Sequence, residues 1–256
     1  MPVQLAERWD TIRGWRMFSR TCVTDPNASA VVLVHGLSMS SLYMLPTAQR
    51  LAEHFRVYLP DLPGYGRSQK PRDSLNIVEL ADILAAWMDA LEIGPAVMVG
   101  NSLGCNFIAA LNDRAPSLIT HAVLIGLYPD PTSRTYFRTI KRGFYQLFFE
   151  PPDFMAVALM DYIAHGFKRT FQTLDHAFND PFEERLTRMT MPVLVVRGQH
   201  DRITSAVWSE ASAQVLPQGR LVTIPGGGHV VNYDAADKLA AEIQSFIKLG
   251  NSPKVS

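Results

Sequence analysis

The chain has 256 residues, of which 47% are hydrophobic, enough for a self-sufficient core in one α/β domain or in two small domains. Lysine and arginine together number 24, as do aspartate and glutamate, so neither nucleic acid nor an anionic membrane surface is expected as a partner. The two cysteines are far apart, and the sequence has no signal-peptide pattern and no membrane-spanning apolar run, so we expect a cytoplasmic protein.

The first third of the chain predicts strands followed by a helix. Residues 8–24 are typical of a pair of antiparallel edge strands, and residues 30–36 and 55–64 each read as a strand that ends in turn residues. The apolar residues from Ile77 to Leu91 then follow helical spacing. We expect this helix to begin at Ser74 as N-cap and to end near Gly94 as C-cap.

Buried strands and helices alternate through most of the remaining chain. Residues 96–100, 121–126, 192–198 and 220–226 are short, continuous apolar runs, which is typical of strands buried on both faces. Residues 103–115 and 233–248 have helical patterns. This alternation predicts an α/β protein with a mostly parallel sheet covered by helices on both faces.

One region interrupts the alternation. Residues 129–189 contain no convincing strand, and we interpret them as a helical cap inserted into a core formed by residues 1–128 and 190–256. Nine of the thirteen phenylalanines lie between Phe137 and Phe182. Some of these rings must attach the insertion to the core, and the excess is equally compatible with the lining of an apolar pocket.

The sequence "GNSLG" places Ser102 between two glycines, directly after a strand and before a helix. Small residues at these positions allow the backbone to turn sharply, which would expose the serine hydroxyl at the carboxyl end of the sheet. We predict that Ser102 is a nucleophile at such a turn. The alternative interpretation is an ordinary glycine–serine turn between a strand and a helix.

A serine nucleophile needs a histidine base that is oriented by a carboxylate. His229 follows three glycines after the strand of residues 220–226, and Asp201 lies in the loop after the preceding strand. The chain order Ser102, Asp201, His229 therefore predicts a catalytic triad at successive strand ends. Asp130, after the strand of residues 121–126, is a weaker alternative for the acid.

Two backbone amides are predicted to stabilise the developing oxyanion. Leu103 follows the nucleophile directly, and Leu37 lies in the loop after the strand of residues 30–36. His35 is expected to order that loop and not to act as a base. The remaining histidines show no carboxylate spacing typical of a metal site, so we expect neither a metal nor an organic cofactor.

The fragments "HGLS", "DLPGYGRS", "GNSLG", "GQHDRIT" and "GGGH" stand in this order along the chain. In these fragments the sequence resembles the α/β-hydrolase superfamily over almost its whole length. The resemblance implies an α/β-hydrolase fold, with an eight-stranded, mostly parallel sheet and a helical cap after the sixth strand. A serine at the nucleophile position speaks against the haloalkane dehalogenases and epoxide hydrolases of this superfamily, which carry aspartate there.

We therefore predict a serine hydrolase that cleaves carboxylic esters of small apolar or aromatic substrates through an acyl-enzyme. A carbon–carbon hydrolase of the meta-cleavage-product type is an alternative, because "GNSLG" resembles the "GNSMG" of those enzymes, although Leu37 to Ser41 and Val230 depart from their pattern. Lactone hydrolysis and cofactor-free perhydrolysis are further alternatives, because they use the same arrangement of serine, histidine and aspartate. A small-ligand receptor on the same fold is the non-enzyme alternative, and the sequence does not give the oligomeric state.

Overall fold

The computed structural model describes residues 3–250, and its centre is one eight-stranded sheet with the strand order β1-β2-β4-β3-β5-β6-β7-β8. Strand β2 runs antiparallel to both of its neighbours, β1 and β4. All the remaining neighbouring pairs of the sheet are parallel. The predicted α/β fold with a mostly parallel sheet is confirmed. The strands are β1 Ala6–Ile12, β2 Trp15–Cys22, β3 Ala30–Val34, β4 Arg56–Asp61, β5 Ala96–Asn101, β6 Ile119–Ile125, β7 Val193–Gly198 and β8 Gly219–Ile224.

Helices cover both faces of the sheet. Successive residues of the central strands face opposite sides, so that Val32 and Val34 belong to one apolar core while Val31 and Leu33 belong to the other. The α-helices are α1 Leu45–Leu51, α2 Ile77–Ala90, α3 Gly104–Arg114, α4 Tyr136–Gln146, α5 Pro152–His165, α6 Phe167–Asn179, α7 Phe182–Thr187, α8 Ala206–Val215, α9 Val231–Asp234 and α10 Ala236–Gly250.

Two predicted helices have different ends in the structure. Helix α2 begins after Asn76 and not after Ser74, because Asn76 and Glu79 form a reciprocal capping box. It ends at Ala90, before the expected C-cap Gly94. The predicted helix over residues 233–248 is divided into α9 and α10, because the chain leaves helical geometry at Ala235.

Residues 129–189, called the insertion below, connect β6 to the segment before β7 and contain helices α4 to α7 but no strand. The boundaries of a core and a cap stay a prediction, and residues 1–2 and 251–256 of the predicted core lie outside the described residues. Within residues 3–250, none of the helices combines the length and the apolar character needed to cross a membrane.

Candidate active site

Ser102 lies at the turn between β5 and α3, at the carboxyl edge of the sheet. Its φ angle is 55°, in the left-handed region that side chains other than glycine rarely adopt. The Ser102 N–H donates a hydrogen bond of 2.7 Å to the carbonyl of Ile125 at the end of β6, which anchors the turn to the neighbouring strand. Ser102 as a whole residue is only partly buried.

The two glycines around Ser102 are required by close contacts. A Cβ at Gly100 would lie 2.7 Å from both the backbone of Gly104 and the Ile108 side chain. A Cβ at Gly104 would lie 2.4 Å from the carbonyl oxygen of Val34 on β3. The small residues therefore let α3 approach β3 and β5 closely while the chain turns through Ser102.

His229 and Asp201, 28 positions apart in the sequence, meet in the structure. Nδ1 of His229 lies 2.9 Å from Oδ2 of Asp201, and both side chains are buried. The other carboxylate oxygen, Oδ1, accepts hydrogen bonds from the N–H groups of Ile203 and Thr204. These bonds fix the carboxylate, so that it can hold the imidazole in one orientation. No hydrogen bond between Ser102 Oγ and His229 Nε2 is present within the described part of the chain.

The charges around His229 favour its protonated form. Burial by itself lowers the pKa of His229, while the charge and hydrogen bond of Asp201 and the charges of Glu150 and Asp234 raise it. The net direction is a raised pKa, because three carboxylates act on one imidazole. This environment suits a base that must carry a positive charge after it accepts a proton.

The predicted oxyanion donors lie on two loops that touch each other. A Cβ at Gly36 would be 3.1 Å from Cβ of Ser102, so the loop after β3 packs directly against the serine turn. The N–H groups of Leu37 and Leu103 donate no hydrogen bond to any residue of the described range 3–250. Leu103 also immediately precedes the N-terminus of α3, where the helix dipole favours an anion.

Two residues that sequence reasoning did not select connect these loops. Tyr43 accepts a hydrogen bond of 2.8 Å from the Gly36 N–H and donates one of 2.9 Å to Oδ1 of Asn101. Asn101 in turn donates from Nδ2 to the carbonyl of His229. This chain of bonds joins the loop after β3, the serine turn and the histidine loop. Asn101 lies inside the "GNSLG" motif, but its hydrogen-bond partners are 58 and 128 positions away and could not be predicted from that motif.

The insertion also reaches the histidine. Oε1 of Glu150 accepts a hydrogen bond of 2.9 Å from the His229 backbone N–H and one of 2.5 Å from Nε2 of Gln146. Gln146 Oε1 accepts a bond from the N–H of Arg202, next to Asp201. Burial raises the pKa of Glu150 to about 7. The insertion therefore holds the histidine loop and the aspartate loop together.

The other sequence candidates lie in different surroundings. The carboxylate of Asp130 contacts Thr132, Arg142 and Ser205, and it makes no contact with His229. His35 accepts a hydrogen bond from Leu62 N–H and is buried, which agrees with an ordering role in its loop. Among residues 3–250, no three His, Cys, Asp or Glu side chains come together as a metal site would require.

Comparison with known proteins gives the family. The sequence profile of the alpha/beta hydrolase family matches residues 31–242, most of the chain. The chain belongs to the alpha/beta hydrolase family. The predicted family and the predicted hydrolase type of enzyme are therefore confirmed. A pimeloyl-[acyl-carrier protein] methyl ester esterase from Xanthomonas axonopodis pv. citri is 27% identical over 246 residues, which cover 85% of this chain and 94% of the relative.

Solved structures of the same fold are also similar. A bacterial membrane phospholipase A has a TM-score of 0.84 and 22% identity, and the match covers 97% of this hydrolase and 87% of the phospholipase chain. A thermophilic esterase from Thermogutta terrifontis has a TM-score of 0.82 and 20% identity, with 96% and 100% of the two chains covered. At these identities the likeness shows the shared fold.

Proposed function

We propose that this hydrolase cleaves carboxylic esters of small apolar or aromatic substrates, with Ser102 as nucleophile, His229 as general base and Asp201 as the orienting acid. The observation that carries the proposal is the buried pair of His229 and Asp201 at the sheet edge where Ser102 stands in a strained turn. Strain of this kind clusters at functional sites, where it is part of the geometry that the chemistry needs.

The proposed reaction begins when the neutral imidazole of His229 accepts the Ser102 proton as Oγ attacks the ester carbonyl carbon. Binding of the substrate is expected to bring Oγ and Nε2 into hydrogen-bond contact, since such bonds are often long before substrate binds. Asp201, with Glu150 and Asp234, stabilises the imidazolium that forms. His229 then protonates the leaving alcohol, and water releases the acid by the same steps in reverse order.

The oxyanion of the tetrahedral intermediate would be held by the N–H groups of Leu37 and Leu103. Both groups lack an acceptor among residues 3–250, and both flank the Ser102 turn. Preformed donors of this kind are worth more than solvent because they need no reorganisation during the reaction.

The proposed substrate class rests on two observations. The insertion contributes buried apolar side chains near the site, such as Phe154, whose ring lies 6.3 Å from that of Tyr43 and 5.4 Å from that of Tyr233. The name of the Xanthomonas relative describes a methyl ester esterase, which supports an ester with a small alcohol. We propose that residues 129–189 act as the cap over this substrate.

A panel of p-nitrophenyl esters, lactones and a vinylogous 1,5-diketone tests the proposal on the wild-type enzyme and on Ser102→Ala. We expect esters to be the best substrates and Ser102→Ala to lose at least about 1,000-fold in kcat. Ser117→Ala, at an exposed position in the turn before β6, serves as the control and should retain full activity.

Each other outcome of this panel has a definite meaning. Ester hydrolysis by Ser102→Ala at the wild-type rate would remove Ser102 from the mechanism. Preference for lactones or for the diketone would replace the ester proposal by the corresponding alternative. Tight binding of one panel compound without turnover would favour a receptor.

A further inference from the structure

Helix α4 of the insertion is attached to the protein by its polar side. Among its residues only Gln146 is buried, and the helix is held by polar contacts of Thr139, Arg142 and Gln146. A surface helix of a soluble protein normally turns its apolar stripe toward the core. Helix α4 does the opposite, so its apolar face is left to solvent.

The exposed apolar face of α4 is continuous. Phe137, Ile140 and Phe144 are spaced three and four residues apart, which places them on one side of the helix. They are 77%, 57% and 60% exposed. Phe148 follows in the short 3₁₀ turn, is 73% exposed, and its ring centroid lies 5.7 Å from that of Phe144. We call these four residues the apolar strip.

Exposure of large apolar side chains is concentrated in this part of the molecule. Of the eighteen large hydrophobic residues exposed within residues 3–250, thirteen lie between positions 136 and 171. Isolated exposed apolar residues are ordinary, but a cluster of this size marks an interaction surface. The ring of Tyr136 contacts Phe171 at 5.9 Å, so the exposed aromatic surface extends from α4 onto α6.

The surface beside the apolar strip is basic. Residues 134–149 contain four arginines or lysines and no aspartate or glutamate. Arg134 and Arg142 are paired with Glu183 and Asp130. Arg138 and Lys141 are exposed and form no ion pair within residues 3–250: Arg138 donates to the Thr132 carbonyl, and Lys141 lies over the Tyr145 ring. Two positive charges therefore stand next to the strip.

From this arrangement we propose that the outer face of α4 docks on an anionic lipid surface. An aromatic and aliphatic strip flanked by cations is suited to the boundary between acyl chains and headgroups, where the rings enter the apolar layer and the charges meet phosphates. The zero net charge of the whole chain does not oppose this docking, because electrostatic attraction acts within about 10 Å and so depends on the local charge.

Lipid docking is independent of the proposed catalytic roles. Within residues 3–250, no hydrogen bond, ion pair or ring contact joins the apolar strip, Arg138 or Lys141 to Ser102, Asp201 or His229. A Ser102→Ala enzyme should therefore bind lipid as the wild type does. Failure of the esterase assay and failure of lipid docking are for this reason separate results.

Co-sedimentation with vesicles tests the proposal. We expect the wild type to bind vesicles of mixed phosphatidylcholine and phosphatidylglycerol, and to bind phosphatidylcholine alone more weakly. The double variant Phe137→Ser, Phe144→Ser should bind the mixed vesicles at least about tenfold more weakly, because two rings no longer enter the acyl layer. The double variant Arg138→Gln, Lys141→Gln should also lose about tenfold or more, and high salt should remove the difference between it and the wild type.

The matched controls are Val207→Ser, at a 75% exposed valine on α8, and Arg220→Gln, at an exposed arginine on β8. Both should bind the mixed vesicles as the wild type does. All variants should keep the far-UV circular dichroism spectrum and the unfolding midpoint of the wild type, which shows that they are folded. The proposal is overturned if wild type stays in the supernatant with the mixed vesicles, or if the α4 variants bind unchanged. A dimer in light scattering that Phe137→Ser, Phe144→Ser dissociates, without lipid binding, would assign the strip to a second copy instead.

Discussion

Two of the four non-glycine residues with positive φ within residues 3–250 lie at the candidate site. Ser102 has a positive φ angle, a conformation that costs about 1–3 kcal/mol for a residue with a side chain. Within residues 3–250 the other non-glycine residues with positive φ are Arg13, Ser38 and Glu92. Ser38 lies in the loop that packs on the Ser102 turn, so two of these four positions belong to the candidate site. Such strain is tolerated where the surrounding contacts fix the geometry that the chemistry needs.

Gly126, just after β6, is in direct contact with the histidine and aspartate pair. Its φ angle is 57°, and a Cβ there would lie 2.8 Å from Cε1 and 2.9 Å from Nδ1 of His229. We expect Gly126→Ala to push the imidazole away from Asp201 and to lower kcat/KM by at least about a hundredfold, since small displacements of catalytic groups have effects of this size. The measurement is kcat/KM on a p-nitrophenyl ester.

Gly14→Ala is the matched control for this substitution. Gly14, in the turn between β1 and β2, also has a positive φ angle, 84°, but no atom lies within 4 Å of the Cβ that alanine would add. Gly14→Ala should reduce the free energy of unfolding by about 1 kcal/mol and leave kcat/KM unchanged. If both variants lost activity equally, backbone strain and not contact with His229 would explain the loss.

The elements of the fold are coupled at the site by buried side chains. Tyr43 from the segment before α1 and Asn101 from β5 join the loop after β3, the serine turn and the histidine loop. Gln146 at the end of α4 and Glu150 before α5 connect the insertion to the aspartate loop and to the histidine loop. Oε2 of Glu150 is buried without a partner among residues 3–250. A carboxyl group with one bonded and one unbonded oxygen in this position favours the protonated form.

The raised pKa of Glu150 gives two predictions for Glu150→Gln. The folded protein holds this carboxyl group protonated up to a pKa of about 7, against 4.5 for the ordinary value, so its contribution to stability is present below pH 4.5 and is lost as the pH rises through 7. Glutamine cannot ionise, and at pH 8 the variant should therefore be more stable than the wild type by up to about 3 kcal/mol. At pH 4 the two proteins should be equal.

Glu150→Gln should also change the dependence of kcat/KM on pH, on the acidic side of the profile. The ionised form of Glu150, which gains population as the pH approaches 7, raises the pKa of His229. Glu150→Gln removes this charge and should therefore move the acidic limb of the kcat/KM profile to lower pH. Denaturant unfolding at both pH values and a pH–rate profile measure the two effects. Glu184→Gln, at an exposed glutamate of α7, should change neither. An acidic limb that moves to higher pH would contradict the role assigned to this carboxylate.

Features that are set by neighbouring residues or by the order of the strands could be predicted from the sequence, whereas contacts that arise from the packing of the insertion could not. The meeting of Asp201 and His229 was predictable, because loops after neighbouring parallel strands lie at one edge of a sheet. The start of α2 was mispredicted although the signal was present, since Asn76 is followed three residues later by Glu79. Glu150 was not predictable, because its bond to His229 spans 79 positions and arises from the packing of the insertion. The catalytic roles stay predictions.

Across the whole molecule, the insertion and the rest of the chain are connected by buried polar groups. Oδ2 of Asp161 on α5 accepts bonds of 2.8 and 2.7 Å from the N–H and hydroxyl of Ser40, in the loop after β3. Arg185 on α7 pairs with Asp113 on α3 and with Asp180, and its side chain is only 8% exposed. Unmaking these contacts would leave buried charges without partners, so the two parts should unfold together.

All four tryptophans lie outside residues 129–189, so their fluorescence reports on the rest of the chain, while far-UV circular dichroism also includes helices α4 to α7. We expect the two signals to have the same midpoint in guanidinium chloride. Arg185→Ala should lower both midpoints together. We expect its free energy of unfolding to fall by about 3 kcal/mol, because Asp180 is left buried without its ion-pair partner. Arg188→Ala, which also removes a contact with Asp113 but at a 43% exposed side chain, should cost less than about 1 kcal/mol. A circular dichroism transition that precedes the fluorescence transition would mean that the insertion unfolds on its own.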